Sequence, residues 1–254
     1  MEYDHVNFYI ILSGKGGVGK STISSILATK LSKEPTLILD FDICGPSQSN
    51  IFNVKGKLTK HLDGFKPLEI ANNLDLISFG NIINEKDSVI WRGPKKEVFL
   101  EMMFNCCLIK NNSGFIYKNI VIDMPPGVSD EHSFLNNKIH KYRTLHKFNS
   151  FIITTNENIS LFGAIKTIEY AKLSDINIMG IINSKEYVKC SCSEKQYIYG
   201  KGGAEKLAAE YEIQYLGGLE YKKDLEKIES EGVFYDFVCK NKLFYDVFDK
   251  INFN

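Results

Sequence analysis

The sequence lacks any long apolar run and any excess of one charge. No stretch approaches the ~20 consecutive apolar residues that a membrane-spanning helix needs. Lys and Arg together number 31, as do Asp and Glu, so the formal net charge is zero. Because bulk binding of nucleic acid or of an anionic membrane usually requires a basic excess, we expect neither partner. The first residues also lack the basic segment and cleavage site of a signal peptide, and we expect a cytoplasmic protein.

Internal repeats, low-complexity tracts and linkers rich in Pro, Gly or Ser are also missing. Short β-rich apolar runs instead alternate with helical patterns along all 254 residues. This alternation predicts one α/β domain over residues 1–254, with a mostly parallel, twisted sheet of about seven strands and helices on both faces. The strands are predicted at 7–13, 36–41, 74–79, 119–124, 151–155, 176–182 and 214–219, and the helices at 19–32, 95–109, 159–173, 203–211 and 240–251.

A glycine-rich segment, LSGKGGVGKST, follows the first predicted strand and opens the first predicted helix. It satisfies the pattern G-x-x-x-x-G-K-[ST] in the structural context that this pattern requires. The glycines allow backbone N–H groups to converge on phosphate oxygens, while Lys20 reaches the β- and γ-phosphates and the Ser21 hydroxyl ligates Mg²⁺. The sequence therefore predicts the fold of a P-loop NTPase, with a site for a nucleoside triphosphate and Mg²⁺ formed by Gly14, Lys15, Gly16, Gly17, Val18, Gly19, Lys20, Ser21 and Thr22.

Two acidic segments, LDFDICGPSQSN and IVIDMPPGVSDEH, follow the second and fourth predicted strands. Both lie at carboxyl ends of strands, where open α/β sheets place their ligand crevice. Asp123 ends an apolar strand, as the aspartate that holds the metal in P-loop NTPases does. Asp40 and Asp42 are two residues apart, so on a strand they project to opposite faces and at most one points directly at the phosphates. The alternative is that such carboxylates cap helices, which is an option for Asp130.

The six cysteines fall into different surroundings: Cys44, Cys106, Cys107, Cys190, Cys192 and Cys239. In a reducing compartment disulfides are rare, so packing, catalysis and metal binding remain to explain each thiol. Cys106, Cys107 and Cys239 have apolar neighbours and are expected in the core. Cys190 and Cys192 lie in the polar stretch YVKCSCSEKQYIYGKGG. The spacing Cys-x-Cys is a weak metal signal, so two exposed, unliganded thiols remain an equal alternative at this point.

The segment KGGVGKST resembles the deviant P-loop of ATPases related to MinD, ParA and the nitrogenase iron protein. In that class the additional lysine reaches across a face-to-face dimer to the nucleotide of the partner. The resemblance implies that Lys15 neutralises phosphate charge in trans, as an arginine finger does. It also implies that Asp42 orients the attacking water and that Asp40 contacts the magnesium side. The expected catalytic residues are therefore Lys15, Lys20, Asp42 and Asp123.

Four further stretches resemble the Mrp/Nubp family of deviant P-loop ATPases, which are scaffolds for iron–sulfur cluster assembly. They are DICGPS (42–47), VIWRGP (89–94), DMPPGVSDEH (123–132) and YGKGGAEKLA (199–208). That family carries Cys-Pro-x-Cys a short interval before its G-x-G-G stretch. Here Cys192 takes the place of the second family cysteine, and Cys190 falls one position late. The resemblance implies that these two residues ligate a [4Fe–4S] cluster. Such a cluster needs four thiolates, which a twofold dimer supplies, although a bridging Zn²⁺ fits the same geometry.

The family resemblance implies a slow, Mg²⁺-dependent ATPase that assembles a [4Fe–4S] cluster and transfers it to apo iron–sulfur proteins. It would act as a homodimer or as a hetero-oligomer with a related scaffold ATPase, similar to the shorter cytosolic eukaryotic paralogue or a prokaryotic Mrp-type protein. The alternatives are a positioning ATPase of the MinD or ParA type and a zinc-binding metallochaperone ATPase. The segment GGLEYKKDLEK lacks the prolines of the family, which leaves the base specificity open.

Overall fold

A computed structural model describes residues 5–61, 64–82, 93–111, 114–190, 192–251 and 253. Most of the family-like stretch VIWRGP (89–94) lies outside the described residues. The strands are β1 (Asn7–Leu12), β2 (Thr36–Asp40), β3 (Thr59–His61), β4 (Gly64–Lys66), β5 (Leu68–Ala71), β6 (Leu74–Ser78), β7 (Lys110–Asn111), β8 (Gly114–Phe115), β9 (Asn119–Asp123), β10 (Lys147–Thr154), β11 (Asn177–Lys189), β12 (Lys195–Tyr197) and β13 (Tyr215–Glu220).

The helices alternate with these strands along most of the chain. They are α1 (Lys20–Leu31), α2 (Gln48–Ile51), α3 (Gly93–Asn105), α4 (Asp130–Tyr142), α5 (Asn158–Leu173), α6 (Gly203–Glu210), α7 (Leu225–Glu231), α8 (Phe234–Asn241) and α9 (Tyr245–Phe248). Within the described part of the chain, no helix is long and apolar enough to cross a membrane.

The central sheet has nine strands in the order β12-β11-β10-β1-β9-β2-β6-β5, with β13 pairing β11 beside this path. The interior pairs are parallel, whereas β5 and β12 run antiparallel to their neighbours. The α/β fold with a mostly parallel sheet is therefore confirmed, and the seven predicted strands are all present. The two additional strands, β5 and β12, are short antiparallel edges that have no long apolar run of their own.

The core forms two layers, one on each face of the sheet, because side chains alternate along the buried strands. On β1, Phe8 and Ile10 face the layer that contains α3, α4, α5 and α6. Tyr9 and Ile11 face the other layer, which contains α1, α8 and α9. Because both faces are covered, β1, β2 and β9 are almost continuous apolar runs.

The C-terminal helix prediction was wrong in its bounds. Instead of one helix over 240–251, the chain forms α8 and α9, separated at Lys242 and Phe244, whose φ angles are 47° and 56°. Left-handed residues interrupt the helical hydrogen-bond pattern, so the chain turns at this point. The turn allows Val247 and Phe248 to pack in the same layer as Phe234.

One close contact links the phosphate loop to α5. Gly14 and Gly163 approach each other so closely that a Cβ atom added to Gly163 would lie 2.8 Å from the carbonyl carbon of Gly14. Contacts below 3.0 Å require the backbone to shift. Glycine at position 163, inside a helix, is therefore required by packing rather than by helix propensity.

We expect Gly163→Ala to lower the free energy of unfolding by about 1–3 kcal/mol, because overpacking at this contact separates α5 from the loop. Helix propensity alone predicts the opposite change in the free energy of unfolding, since Ala stabilises a helix interior by about 1 kcal/mol relative to Gly. Denaturant unfolding measures the difference. The control is Lys166→Ala on the exposed face of the same helix, which should change stability by less than about 0.5 kcal/mol. A Gly163→Ala protein as stable as the control would contradict the packing argument.

Candidate functional site

The loop between β1 and α1 forms the floor of a cavity of about 410 Å³. Gly17 and Gly19 have φ angles of 76° and 88°, a region that favours glycine. The cavity is lined by Ser13, Lys15, Gly16, Gly17, Gly19, Lys20, Ser21, Thr22, Asp42, Gly45, Ser47, Asn50, Ile51, Pro126, Lys185 and Glu229. Most of the predicted loop residues therefore line one cavity, at the N-terminus of α1, where backbone N–H groups favour an anion.

Lys20 and Asp123 form a buried ion pair in this cavity floor. Asp123 Oδ1 also accepts a hydrogen bond from Ser24 Oγ at 3.1 Å, and its Oδ2 accepts one from Gln48 Nε2 at 2.8 Å. The structure thus brings together two of the four predicted catalytic residues. The Lys20 ammonium is neutralised by the carboxylate of Asp123, which ends the neighbouring strand β9.

Asp40 lies beside Asp123 because β2 and β9 are parallel and these two residues are paired in register. Asp40 is completely buried, and its Oδ2 accepts hydrogen bonds from Ser47 N at 3.0 Å, Gln48 N at 3.1 Å and Ser78 Oγ at 2.8 Å. Burial, followed by the charge of Asp123, raises the pKa of Asp40 to about 7. Among the described residues, its Oδ1 has no hydrogen-bond partner.

The hydroxyl and carboxylate oxygens of Ser21, Asp40 and Asp123 suit Mg²⁺, which prefers hard oxygen ligands. The Ser21 hydroxyl belongs to a cavity-lining residue, and Asp40 and Asp123 supply carboxylates beneath it. The unpartnered carboxylate oxygen of Asp40 is an acceptor that a metal-bound water would satisfy. The residues present therefore fit the magnesium site that the motif predicts.

Asp42 differs from Asp40 in its position. It is half-buried and lines the cavity, where its Oδ1 accepts a hydrogen bond from Gly45 N at 3.0 Å. Burial raises the pKa of Asp42, and the nearby charge of Lys20 opposes this shift. Of the two carboxylates, Asp42 is the one that lines the cavity, so it is the one available to a water molecule there.

Lys15 lies at the edge of the loop, where its Nζ donates to Glu157 Oε2 at 2.6 Å. Both side chains are half-buried. Glu157 directly precedes α5, so this ion pair joins the loop to the same helix that Gly14 contacts. In a single chain, Lys15 is therefore held by a carboxylate of its own chain.

The second acidic segment connects the loop to α4. Gly127 N donates to Ser13 O at 2.8 Å, and Ser129, rather than Asp130, caps the helix. Ser129 N donates to His132 Nδ1 at 3.2 Å. Burial lowers the pKa of His132 to about 4, so this imidazole is neutral near pH 7. Asp130 instead occupies the first turn of α4, where a negative charge favours the helix N-terminus.

Cys190 and Cys192 lie in the turn between β11 and β12. The turn is closed by hydrogen bonds from Cys190 N to Glu194 O at 3.1 Å and from Ser193 N to Cys190 O at 2.9 Å. It places the two Cα atoms 5.3 Å apart, and the two sulfurs form a disulfide. The alternative of two free thiols is therefore not what this structure shows, because the turn holds the cysteines within bonding range. The role of the two cysteines as metal ligands stays a prediction.

The other cysteines follow the predictions with one exception. Cys106 and Cys107 are buried in the core, as expected, and Cys44 is exposed near the first acidic segment. Cys239 is exposed, so the prediction of core packing was wrong for this residue. Since α8 begins at Phe234, the helix buries Phe234 and Val238, and Cys239 falls outside that buried stripe.

Two residues of the site escaped the sequence analysis: the buried Gln48 and the cavity-lining Lys185. Gln48 Nε2 donates to Ser21 O at 3.1 Å as well as to Asp123, which joins three segments of the site. Its position within the first acidic segment was an available signal. Lys185, on β11, donates from Nζ to Gly17 O at 2.8 Å. No local pattern marks Lys185, because only the order of strands brings β11 beside the loop.

A second, smaller cavity of about 220 Å³ adjoins the first. The two cavities share Gly19, Thr22, Lys185 and Glu229. The second cavity extends between Tyr221, Leu225 and Phe244 and therefore offers apolar and aromatic surface next to the phosphate loop. The polar cavity suits the phosphates of a nucleotide, and the adjoining aromatic cavity suits its base.

These features define the class of protein. A buried strand, a glycine loop, a helix that begins with Lys20 and an aspartate on the adjacent strand together form the site of a P-loop NTPase. A solved structure with the same fold is the nucleotide-binding protein of Archaeoglobus fulgidus in complex with ADP. It has a TM-score of 0.67 and 24% sequence identity, and the match covers 92% of this chain and 89% of that chain.

Sequence comparison narrows this class to one family. The family described as NUBPL iron-transfer P-loop NTPase matches residues 5–252, and the chain belongs to it. The chain is 34% identical over 216 residues to the cytosolic Fe-S cluster assembly factor NUBP2 homolog of Nematostella vectensis, which is 82% of this chain and 77% of that protein. It is also 34% identical over 218 residues to the cytosolic Fe-S cluster assembly factor CFD1 of Yarrowia lipolytica, which is 83% of this chain and 72% of that protein. The resemblance to the Mrp/Nubp family is thereby confirmed.

We expect Asp40→Asn to stabilise the nucleotide-free protein at pH 8 by about 1–3 kcal/mol. Between about pH 4 and pH 7 the native Asp40 keeps a proton that the unfolded chain has lost, so its contribution to stability falls as the pH rises. Asn stays neutral, so the advantage of the variant should disappear near pH 4. Denaturant unfolding at both pH values tests this prediction, with the exposed Asp224→Asn as control. Equal gains at pH 4 and pH 8 would contradict it.

Proposed function

We propose that the chain is an ATP-hydrolysing, dimeric scaffold that assembles a [4Fe–4S] cluster on Cys190 and Cys192 and passes it to apo-proteins in the cytosol. The observation that carries the proposal is the position of the two sulfurs. They lie directly after β11, the strand whose residues Ser184 and Lys185 donate to Val18 O and Gly17 O of the phosphate loop. One strand, β11, thus contacts the phosphate loop and leads directly into the pair of cysteines.

Nucleotide binding begins with an exchange of partners at Lys20. A triphosphate in the larger cavity replaces Asp123 as the partner of the ammonium, and the base enters the adjoining aromatic cavity. Ser21, Asp40 and Asp123 would supply the oxygens that hold Mg²⁺ and its waters, and the ion would neutralise phosphate charge. Asp42, which lines the cavity, orients the water that attacks the γ-phosphate. Turnover by a single chain is expected to be slow, because the lysine of a partner is then missing from the site.

The face beside the phosphate loop fits a second copy of the chain. Three large apolar side chains are exposed there: Val128 at 58%, Ile159 at 65% and Phe162 at 69%. They lie on the segment that follows Gly127 and on the first turns of α5, both of which contact the loop. A twofold partner would cover these side chains and bring its own Lys15, released from Glu157, to the phosphates.

The same dimer completes the cluster site. Each chain offers two cysteines, and two chains together offer the four thiolates that a [4Fe–4S] cluster needs. A disulfide sulfur is not a thiolate, so the Cys190–Cys192 bond must be reduced before iron binds. The cluster is the cargo of the protein in this proposal, and the hairpin is the place where it is built.

Anaerobic reconstitution of the reduced protein with iron and sulfide tests the cluster. We expect about two iron atoms per chain, equal to one four-iron cluster per dimer, in the wild type and in Cys239→Ser. Cys192→Ser should lose the iron, because it removes two of the four ligands from each dimer. The exposed Cys239 is the matched control for general thiol chemistry.

If Cys192→Ser and wild type bind equal amounts of iron, the scaffold proposal fails. Elemental analysis of anaerobically purified protein distinguishes the iron–sulfur scaffold from the zinc-binding alternative. In the zinc-binding alternative the protein contains zinc in place of iron. Co-sedimentation with liposomes or DNA in the presence of ATP would instead favour a positioning ATPase.

The dimer is tested by a charge on the exposed apolar face. Phe162→Glu should abolish ATP-dependent dimerisation, measured by analytical ultracentrifugation, and lower ATP turnover by about tenfold or more, since Lys15 no longer reaches a partner site. Binding of a fluorescent nucleotide to the monomer should be retained. The control is Leu173→Glu at the other end of α5, where Leu173 is 85% exposed. Dimerisation unchanged in Phe162→Glu would contradict this assignment of the face.

A further inference from the structure

The cysteine hairpin holds a third possible metal ligand. Sγ of Cys190, Sγ of Cys192 and a carboxylate oxygen of Glu194 all lie within 4.8 Å of one another. The hydrogen bonds across the turn set this spacing, because Glu194 O accepts from Cys190 N. The antiparallel pair Lys189↔Lys195 holds the two ends of the turn together. The three side chains are therefore gathered by the backbone and not only by their own conformations.

We propose that the reduced hairpin binds one divalent transition-metal ion within a single chain, through Cys190, Cys192 and Glu194. The inference rests on the ligand role proposed above for the two cysteines, and it adds a carboxylate that the family resemblance did not indicate. Two thiolates and one carboxylate suit Zn²⁺ or Fe²⁺, which accept sulfur and oxygen donors at about 2.0–2.3 Å. Because Cys192 and Glu194 are exposed, a water molecule or an incoming ligand can take the fourth position.

The three ionised ligands carry one more negative charge than a divalent ion neutralises, and lysines stand at both ends of the turn. Lys189 Nζ lies 3.3 Å from Glu220, and Lys195 Nζ lies 4.2 Å from the centre of the Tyr187 ring. Both ammonium groups therefore already have partners outside the proposed site.

Loading the hairpin requires reduction of the disulfide. A dithiol reductant supplies two electrons and two protons, so the S–S bond gives two thiols while the dithiol becomes a cyclic disulfide. The metal ion then displaces the two thiol protons as it binds. The oxidised and the metal-bound hairpin are therefore mutually exclusive states of the same three residues.

The inference has a consequence for cluster assembly. A site with three ligands from one chain binds metal in the monomer, at one ion per chain. A cluster shared between two chains instead requires the dimer. Metal acquisition at the hairpin would then precede dimerisation, and inorganic sulfide would replace the carboxylate when the four-iron cluster forms.

Cobalt(II) titration of the reduced, nucleotide-free chain tests this site, since Co²⁺ bound by thiolates gives visible ligand-field and charge-transfer bands. We expect one Co²⁺ per chain with the protein still monomeric by analytical ultracentrifugation. Glu194→Gln should weaken binding by about tenfold or more, since even a group that only supports a metal ligand costs 10–100-fold when removed. Glu210→Gln, an exposed glutamate on α6, is the matched control and should bind as the wild type does.

The outcomes separate this inference from the proposed function. Equal Co²⁺ affinity in Glu194→Gln and wild type, or half an ion per chain in a metal-linked dimer, overturns the single-chain site and leaves the bridging cluster intact. Failure of the wild type to bind either Co²⁺ or iron, with Cys190→Ser and Cys192→Ser indistinguishable from it, overturns both. Because Glu194 is exposed, the substitution should not affect folding, which a thermal unfolding curve of the metal-free variant confirms.

Discussion

The ion pair between Lys20 and Asp123 lies where β1, β2 and β9 end side by side, and the rest of the site is arranged around it. A buried charge is costly unless it is paired and hydrogen-bonded, and removing one partner of such a pair costs about 3–5 kcal/mol. Ser24 and Gln48 satisfy the oxygens of Asp123, so the pair is stable without a ligand. A phosphate that takes over Lys20 changes the balance of charge between Asp123 and Asp40. A nucleotide bound as proposed would therefore act on the interaction that joins the loop, the two acidic segments and the sheet.

The second constraint is the length of β11. Its 13 residues run from the sheet interior past the phosphate loop to the cysteine turn. Ser184 and Lys185 contact the loop, and Cys190 follows directly after the strand. On the other side, Asn156 donates to Gly200 O and accepts from Ala204 N, while its neighbour Glu157 holds Lys15. Two sets of contacts therefore connect the phosphate loop to the segments on either side of the hairpin.

Prediction from the sequence succeeded where local chemistry dominates. The glycine loop, the apolar strands and the carboxylates at their ends were identified because each requires particular residues at a particular spacing. It failed where a distant contact decides the outcome. The chain turns at Lys242 and Phe244, which divides the last helix in two and allows Phe248 to be buried. Cys239 is exposed because α8 begins at Phe234, earlier than the predicted start at residue 240, and buries a different face. Gln48 and Lys185 were missed for the same reason, since their roles depend on partners far away in the chain.

The amino-acid sequence by itself determined the α/β class, the phosphate loop and the family, because a strand–loop–helix motif is built from neighbouring residues. Only the tertiary structure decided the remaining points. The parallel register of β2 and β9 buries Asp40 beside Asp123 and leaves Asp42 in the cavity. The cross-strand pairing of β11 with β12 brings Cys190, Cys192 and Glu194 together. Both depend on hydrogen bonds between strands, and the pairing of strands is not encoded in the spacing of any single segment.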